Sequence, residues 1–147
     1  MTATTTRQPG RGELLPDVRG VGADGVEVRL RELHYMRHNV ALLVVADDER
    51  GREWVATAEG LVDAAAAEHG RMVVLSPDAV ATSLALVHDV DGQSLARLGL
   101  SAADLPALYV ADRYGQVFTA THGRDGIADL TPNDIPNWLQ FVDCRCT

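Results

Sequence analysis

The stretch Leu105-Pro106-Ala107-Leu108-Tyr109-Val110-Ala111-Asp112-Arg113-Tyr114-Gly115-Gln116-Val117-Phe118 decides how the rest of the chain is read. Five of the six residues from Ala107 to Asp112 are apolar or aromatic, the pattern of a strand covered on both faces. Asp112-Arg113-Tyr114-Gly115 then predicts a tight turn, with glycine where the backbone needs freedom, and a second strand running back. Pro106 stands at the first residue of the strand, where a sheet tolerates the missing N–H. It is also a candidate for a cis peptide bond.

Working outward, residues 40–46 (Val-Ala-Leu-Leu-Val-Val-Ala) are continuously apolar and of strand length, which predicts a central parallel strand. From Asp47-Asp48-Glu49 to Gly70, apolar residues recur at three- and four-residue spacing. Trp54, Ala58, Leu61, Val62, Ala65, Ala66 and His69 predict one amphipathic helix with acids at its start and a glycine stop. Residues 72–75 read as the next buried strand. Ser76-Pro77-Asp78 predicts a short helix to residue 83, and residues 84–88 read as extended. Nearer the start, Val26, Val28 and Leu30 alternate with Glu27, Arg29 and Arg31 behind an Asp24-Gly25 turn signal. Residues 16–21 and 26–30 are therefore expected to pair as a hairpin. Downstream, Thr131-Pro132-Asn133-Asp134 opens a helix whose apolar face is Ile135, Trp138, Leu139 and Val142.

The chain has 147 residues, 46% of them hydrophobic and 23% charged, enough for one globular domain with its own core. A net charge of −8 argues against nucleic acid and anionic membrane surfaces as partners, since both select a basic footprint. No run approaches the ~18 apolar residues of a membrane span, and the polar start carries no apolar signal segment. The chain therefore reads as cytoplasmic. It divides into a disordered tail at 1–12, a domain at 13–143, and a C-terminal tail at 144–147 carrying Cys144-Arg145-Cys146. Two cysteines so close to the end cannot form the disulfide framework of a small secreted fold.

Hairpin, strand, helix, strand, helix, hairpin, helix is the order of an α/β sandwich with a mixed sheet and helices on both faces. At this point three segments carry a resemblance. They are Leu15-Pro16-Asp17 with residues 23–33, His88-Asp89-Val90-Asp91-Gly92 with Leu98-Gly99-Leu100, and residues 105–115. Together they resemble redoxins, the alkyl hydroperoxide reductase and thiol-specific antioxidant (peroxiredoxin-like) branch of the thioredoxin-like superfamily. The resemblance implies a three-layer thioredoxin-like sandwich in which a cis-proline, here Pro106, faces a reactive cysteine. The family carries that cysteine between the first central strand and its helix, as a CxxC or a lone peroxidatic thiol. In this chain the loop is Asp47-Asp48-Glu49-Arg50-Gly51-Arg52-Glu53-Trp54 and holds no thiol. Carboxylates occupy a helix start that would otherwise stabilise a thiolate.

Two functional expectations follow. The first is a redoxin-like domain without the usual chemistry, a binding or assembly module that meets a protein partner at the Pro106 face. Pro106, Arg113 and Trp54 are its candidate binding residues, with Arg113 as an anion contact near the old pocket. The second is a thiol-dependent oxidoreductase or peroxidase working through Cys144 and Cys146, whose thiolates Arg145 would favour. At i and i+2 these two can just reach disulfide geometry, in a strained ring. A zinc-bridged homodimer of the tails is a third arrangement, needing two further ligands. His34 and His38, four apart, could share a helix face as metal ligands, but no acid or thiol completes a motif beside them. Asp47, Asp48 and Glu49 could hold a divalent cation, against the plainer reading of a solvated helix cap. His69 and His122 read as structural. No cofactor motif is discernible.

Overall fold

The structure, a computed structural model, describes residues 7–145. Seven strands, β1 (Arg19–Val21), β2 (Glu27–Arg29), β3 (Asn39–Val44), β4 (Gly70–Ser76), β5 (Ala85–His88), β6 (Ala107–Ala111) and β7 (Val117–Ala120), form one sheet in the order β2-β1-β5-β4-β3-β6-β7. β3, β4 and β5 run parallel, and the flanking pairs are antiparallel. The expected mixed sheet and both hairpins are therefore present.

Side-chain alternation divides the core. In the β3–β6 register Leu42 lies beside Tyr109 and Leu43 beside Leu108, so adjacent pairs point to opposite faces. Leu42 and Tyr109 pack with Leu30 of α1 (Leu30–His34) and Leu95 of α4 (Gln93–Arg97). Leu43 and Leu108 pack with Trp54 and Ala58 of α2 (Glu49–Glu59), Ala65 of α3 (Val62–Ala67), and Ile135 and Leu139 of α5 (Ile135–Arg145). Continuous apolar sequence in β3 and β6 is thus explained: both faces are covered.

Three expectations need correction. The single helix from residue 47 to 70 is two, because α2 stops at Gly60, whose N–H reaches back to Thr57 O at 3.2 Å. Glycine is a poor helix residue, and the break re-aims the second segment so that Ala65 is buried while Val62 is exposed. His69, expected on that helix, follows it in a left-handed conformation (φ 55°). The short helix at 76–83 does not form, because side chains satisfy its backbone instead. Ser76 Oγ accepts the Asp78 N–H (3.0 Å), and Glu59 Oε2 accepts from Thr82 Oγ1 (3.0 Å), Ser83 N (2.8 Å) and Ser83 Oγ (3.1 Å).

Pro9 and Gly10 are buried, and the Gly12 N–H donates to Val117 O at 2.8 Å, so order begins before residue 13. At the other end, Cys144 and Arg145 belong to α5 rather than to a tail. Arg145 lies over the Phe141 ring at 4.7 Å, an i,i+4 contact that extends the helix. Cys146 lies outside the described residues. Among the described residues no helix is long and apolar enough to cross a membrane.

Candidate functional site

The peptide bond between Leu105 and Pro106 is cis. Because Val44 pairs with Ala107, Pro106 falls beside Val45, next to the segment that leads into α2. The cis-proline and the β3–α2 junction therefore share one end of the sheet, as the redoxin resemblance implied.

A frame of hydrogen bonds holds the proline segment. Ser101 and Asp104 cap each other around a short 3-10 turn at Ala102–Asp104: the Ser101 N–H donates to Asp104 Oδ2 at 2.8 Å. That donation, reinforced by the Ser101 hydroxyl and the nearby His122, holds the Asp104 carboxyl below its ordinary value. Just beyond β7, Thr121 Oγ1 accepts the Leu108 N–H (3.0 Å), and His122 Nε2–H donates to the Asp104 carbonyl (2.8 Å). Thr121 and His122 thus grip the chain on both sides of Pro106. The expectation of a structural role for His122 agrees with this contact. Pro106 itself is buried.

The facing junction is occupied by its own carboxylates. Asp48 is the N-cap of α2 and accepts the Gly51 N–H at 2.7 Å. Asp47 pairs with Arg52 at 3.1 Å, and its N–H donates to Asp78 Oδ2 at 2.8 Å. A helix N-terminus stabilises one nearby anion, and Asp48 already supplies it. The acids therefore read as a helix cap, and no trio of His, Cys, Asp or Glu among the described residues could hold a metal ion.

The candidate binding residues do not converge. Trp54 is buried in the α2 core cluster, 7% exposed, which removes it as a contact residue. Arg113 sits in the turn after β6, whereas Pro106 precedes that strand, so the two are separated by roughly 20 Å at ~3.3 Å per strand residue. The sequence placed Arg113 near the old pocket; the length of β6 puts it at the opposite end of the sheet.

Cys144 is exposed and also lies far from the proline. Its neighbour Asp143 accepts from His69 Nδ1 (3.1 Å) and reaches Asn39 Nδ2 (3.5 Å), which fixes the last turn of α5 at the start of β3. Pro106 lies past the other end of β3, again roughly 20 Å away.

His34 and His38 do not share a helix face, because α1 ends at His34. Burial holds the His34 imidazole below its ordinary value of 6.5, against the opposing pull of the His38 backbone carbonyl and, less, of the Asp112 charge. The unfolded chain takes up this proton near pH 6.5 and the folded chain only at lower pH. Stability is therefore expected to be highest above that value and to fall as the pH drops through it. Urea unfolding at about pH 7.5 and about pH 5.5 measures the slope, and His34→Gln should remove part of it. An identical slope in that variant would refute the assignment.

Sequence reading missed one structural residue of the His88–Gly92 motif. Asp89 is 1% exposed, and its carboxylate accepts from Ser94 N (3.1 Å) and Leu95 N (2.9 Å) at the start of α4. Asp-x-x-Gly reads as a turn on its own, and only the fold shows the acid turned inward.

No protein-family model matches the chain, and no curated protein matches it in sequence. Solved structures do match. Peroxidoxin BcpB from Mycobacterium tuberculosis superposes with a TM-score of 0.73 at 15% identity, covering 94% of this chain and 98% of that one. The thioredoxin domain of a thiol-disulfide oxidoreductase from Bacteroides vulgatus gives 0.72 at 14% identity, covering 92% and 99%. A peroxiredoxin-like protein from Aquifex aeolicus gives 0.69 at 13% identity, covering 92% and 88%. The chain has the thioredoxin-like fold these proteins share, as the redoxin resemblance implied.

Proposed function

We propose that this thioredoxin-like chain is a redox-inactive binding or assembly module. The observation that carries the reading is Asp48: a carboxylate caps α2 where redoxins present a nucleophilic thiol. An ionised acid at that position repels a second anion, so it opposes thiolate chemistry as well as replacing it. Any protein partner at the cis-proline end meets the exposed Asp47, Asp48 and Glu49 and not the buried ring of Pro106.

Peroxide consumption coupled to a dithiol reductant tests the reading in the intact chain, alongside Cys144→Ser and Cys146→Ser. The expected result is no turnover above that of the reductant alone in any of the three proteins. Thiol alkylation and mass measurement follow the cysteines in the same samples. Catalytic turnover that disappears with either serine would overturn the module and establish the oxidoreductase.

A further inference from the structure

The end of the sheet opposite the cis-proline holds a cleft of about 280 Å³ between the segment after Leu14, the β2–α1 junction and the β6–β7 turn. We propose that it binds a small aromatic carboxylate. The inference does not depend on the redox reading, since none of its residues lies at the β3–α2 junction.

Charge is the first reason. Arg29, Arg31 and Asp17 line the cleft, an excess of one positive charge in a chain of net −8. Asp17 is directed to Arg97 at 3.8 Å, and Arg29 meets Glu32 only at 4.0 Å, with both side chains largely exposed. Arg31 has no ion pair among the described residues; its guanidinium lies 3.9 Å from the centroid of the Tyr35 ring. A guanidinium resting over an aromatic ring can still offer its N–H fork to a carboxylate.

His34 is the second. The ring lines the cleft yet is only 4% exposed, and its Nδ1 is buried with no hydrogen-bond partner. Gly115 has no side chain to cover the ring: a Cβ there would stand 4.0 Å from His34 Cε1. The edge of the His34 ring beside Gly115 is thus left uncovered by any side chain at that position.

The aromatic corner is the third. Tyr35 and Tyr114 meet edge to face at 6.1 Å, and Tyr114 remains 47% exposed. The corner is built in advance. Asp112 Oδ1 accepts the Tyr114 N–H (2.9 Å), and Met36, in a left-handed conformation (φ 63°), donates its N–H to Arg113 O (2.9 Å). The first bond braces the β6–β7 turn and the second ties it to the α1–β3 connection, so an aromatic ligand finds its stacking edge without ordering a loop.

The full chain is titrated by NMR with benzoate, with neutral benzyl alcohol and with inorganic phosphate. Benzoate is expected to give saturable shifts at Tyr35, Tyr114, Gly115 and the His34 imidazole, and the two controls none. Arg29→Gln and Arg31→Gln, both at exposed positions, should each weaken benzoate about tenfold while preserving the remaining spectrum. The proposal is overturned by absence of saturation with benzoate, by equal shifts from benzyl alcohol or phosphate, or by unchanged affinity in both variants.

Discussion

Gly51→Ala is expected to destabilise the protein by about 3 kcal/mol, mostly through one atom. Gly51 is the third residue of α2 and is buried. A Cβ built there would stand 2.1 Å from the Ala46 carbonyl oxygen and 3.1 Å from Asp48 Oδ1. Real side-chain carbons do not approach a backbone oxygen so closely, and the Ala46 carbonyl is backbone rather than a flexible side-chain end. The first turn of α2 would have to move away from the end of β3. Overpacking of this kind costs about 1–3 kcal/mol. The shift would also pull the Gly51 N–H from Asp48, a cap worth about 1 kcal/mol. Urea denaturation reads the loss directly. A change under about 1 kcal/mol would show that the junction is looser than its contacts imply.

Asp89→Ala should be of similar size for a different reason. The substitution deletes the carboxylate that holds the buried Ser94 and Leu95 N–H groups and leaves both donors without an acceptor. Hydrogen bonds to a charged acceptor contribute about 1.5–3 kcal/mol each, and stranded buried donors also lose their hydration. A loss of about 3–4 kcal/mol follows, or roughly 10 °C in Tm for a chain of this length. Asp89→Asn retains one acceptor oxygen and should fall between. If alanine and asparagine cost the same, the two N–H groups are not what the carboxylate serves.

Both sites are silent in the sequence, although the first lies beside residues that are not. Asp47, Asp48 and Glu49 stand out in one dimension, because acids at a helix start follow from the backbone dipole and the cap alone. Asp48 fulfils that reading. Gly51 behind them gives no such signal, since its role depends on how closely α2 approaches the Ala46 carbonyl. Asp89 is likewise an ordinary turn residue until the fold turns it inward.

Position along the sheet was the larger gap. Pro106, Arg113 and Trp54 are plausible companions in a linear sequence, because the hairpin that carries two of them resembles a known pocket wall. The strand between Pro106 and Arg113 separates them instead, and Trp54 faces the core. Cys144 was expected on a tail whose reach was open. The bonds of Asp143 to His69 and Asn39 fasten that turn to the far end of β3. His34 points the same way: a histidine four residues from another suggested metal, whereas the fold buries it beside a cleft lined by arginines and tyrosines.

The sequence by itself determined the layered architecture, the two central strands, the hairpin that follows Pro106 and the missing thiol between residues 47 and 54. All of these rest on local pattern: runs covered on both faces, turn glycines, and the presence or absence of a residue type. Only the tertiary structure decided which end of the sheet each candidate occupies, that Pro106 and Trp54 are buried, and that Arg29, Arg31, His34 and Tyr114 share one cleft. Strand length and register set those distances, and they act between residues far apart in the chain, where periodicity carries no information.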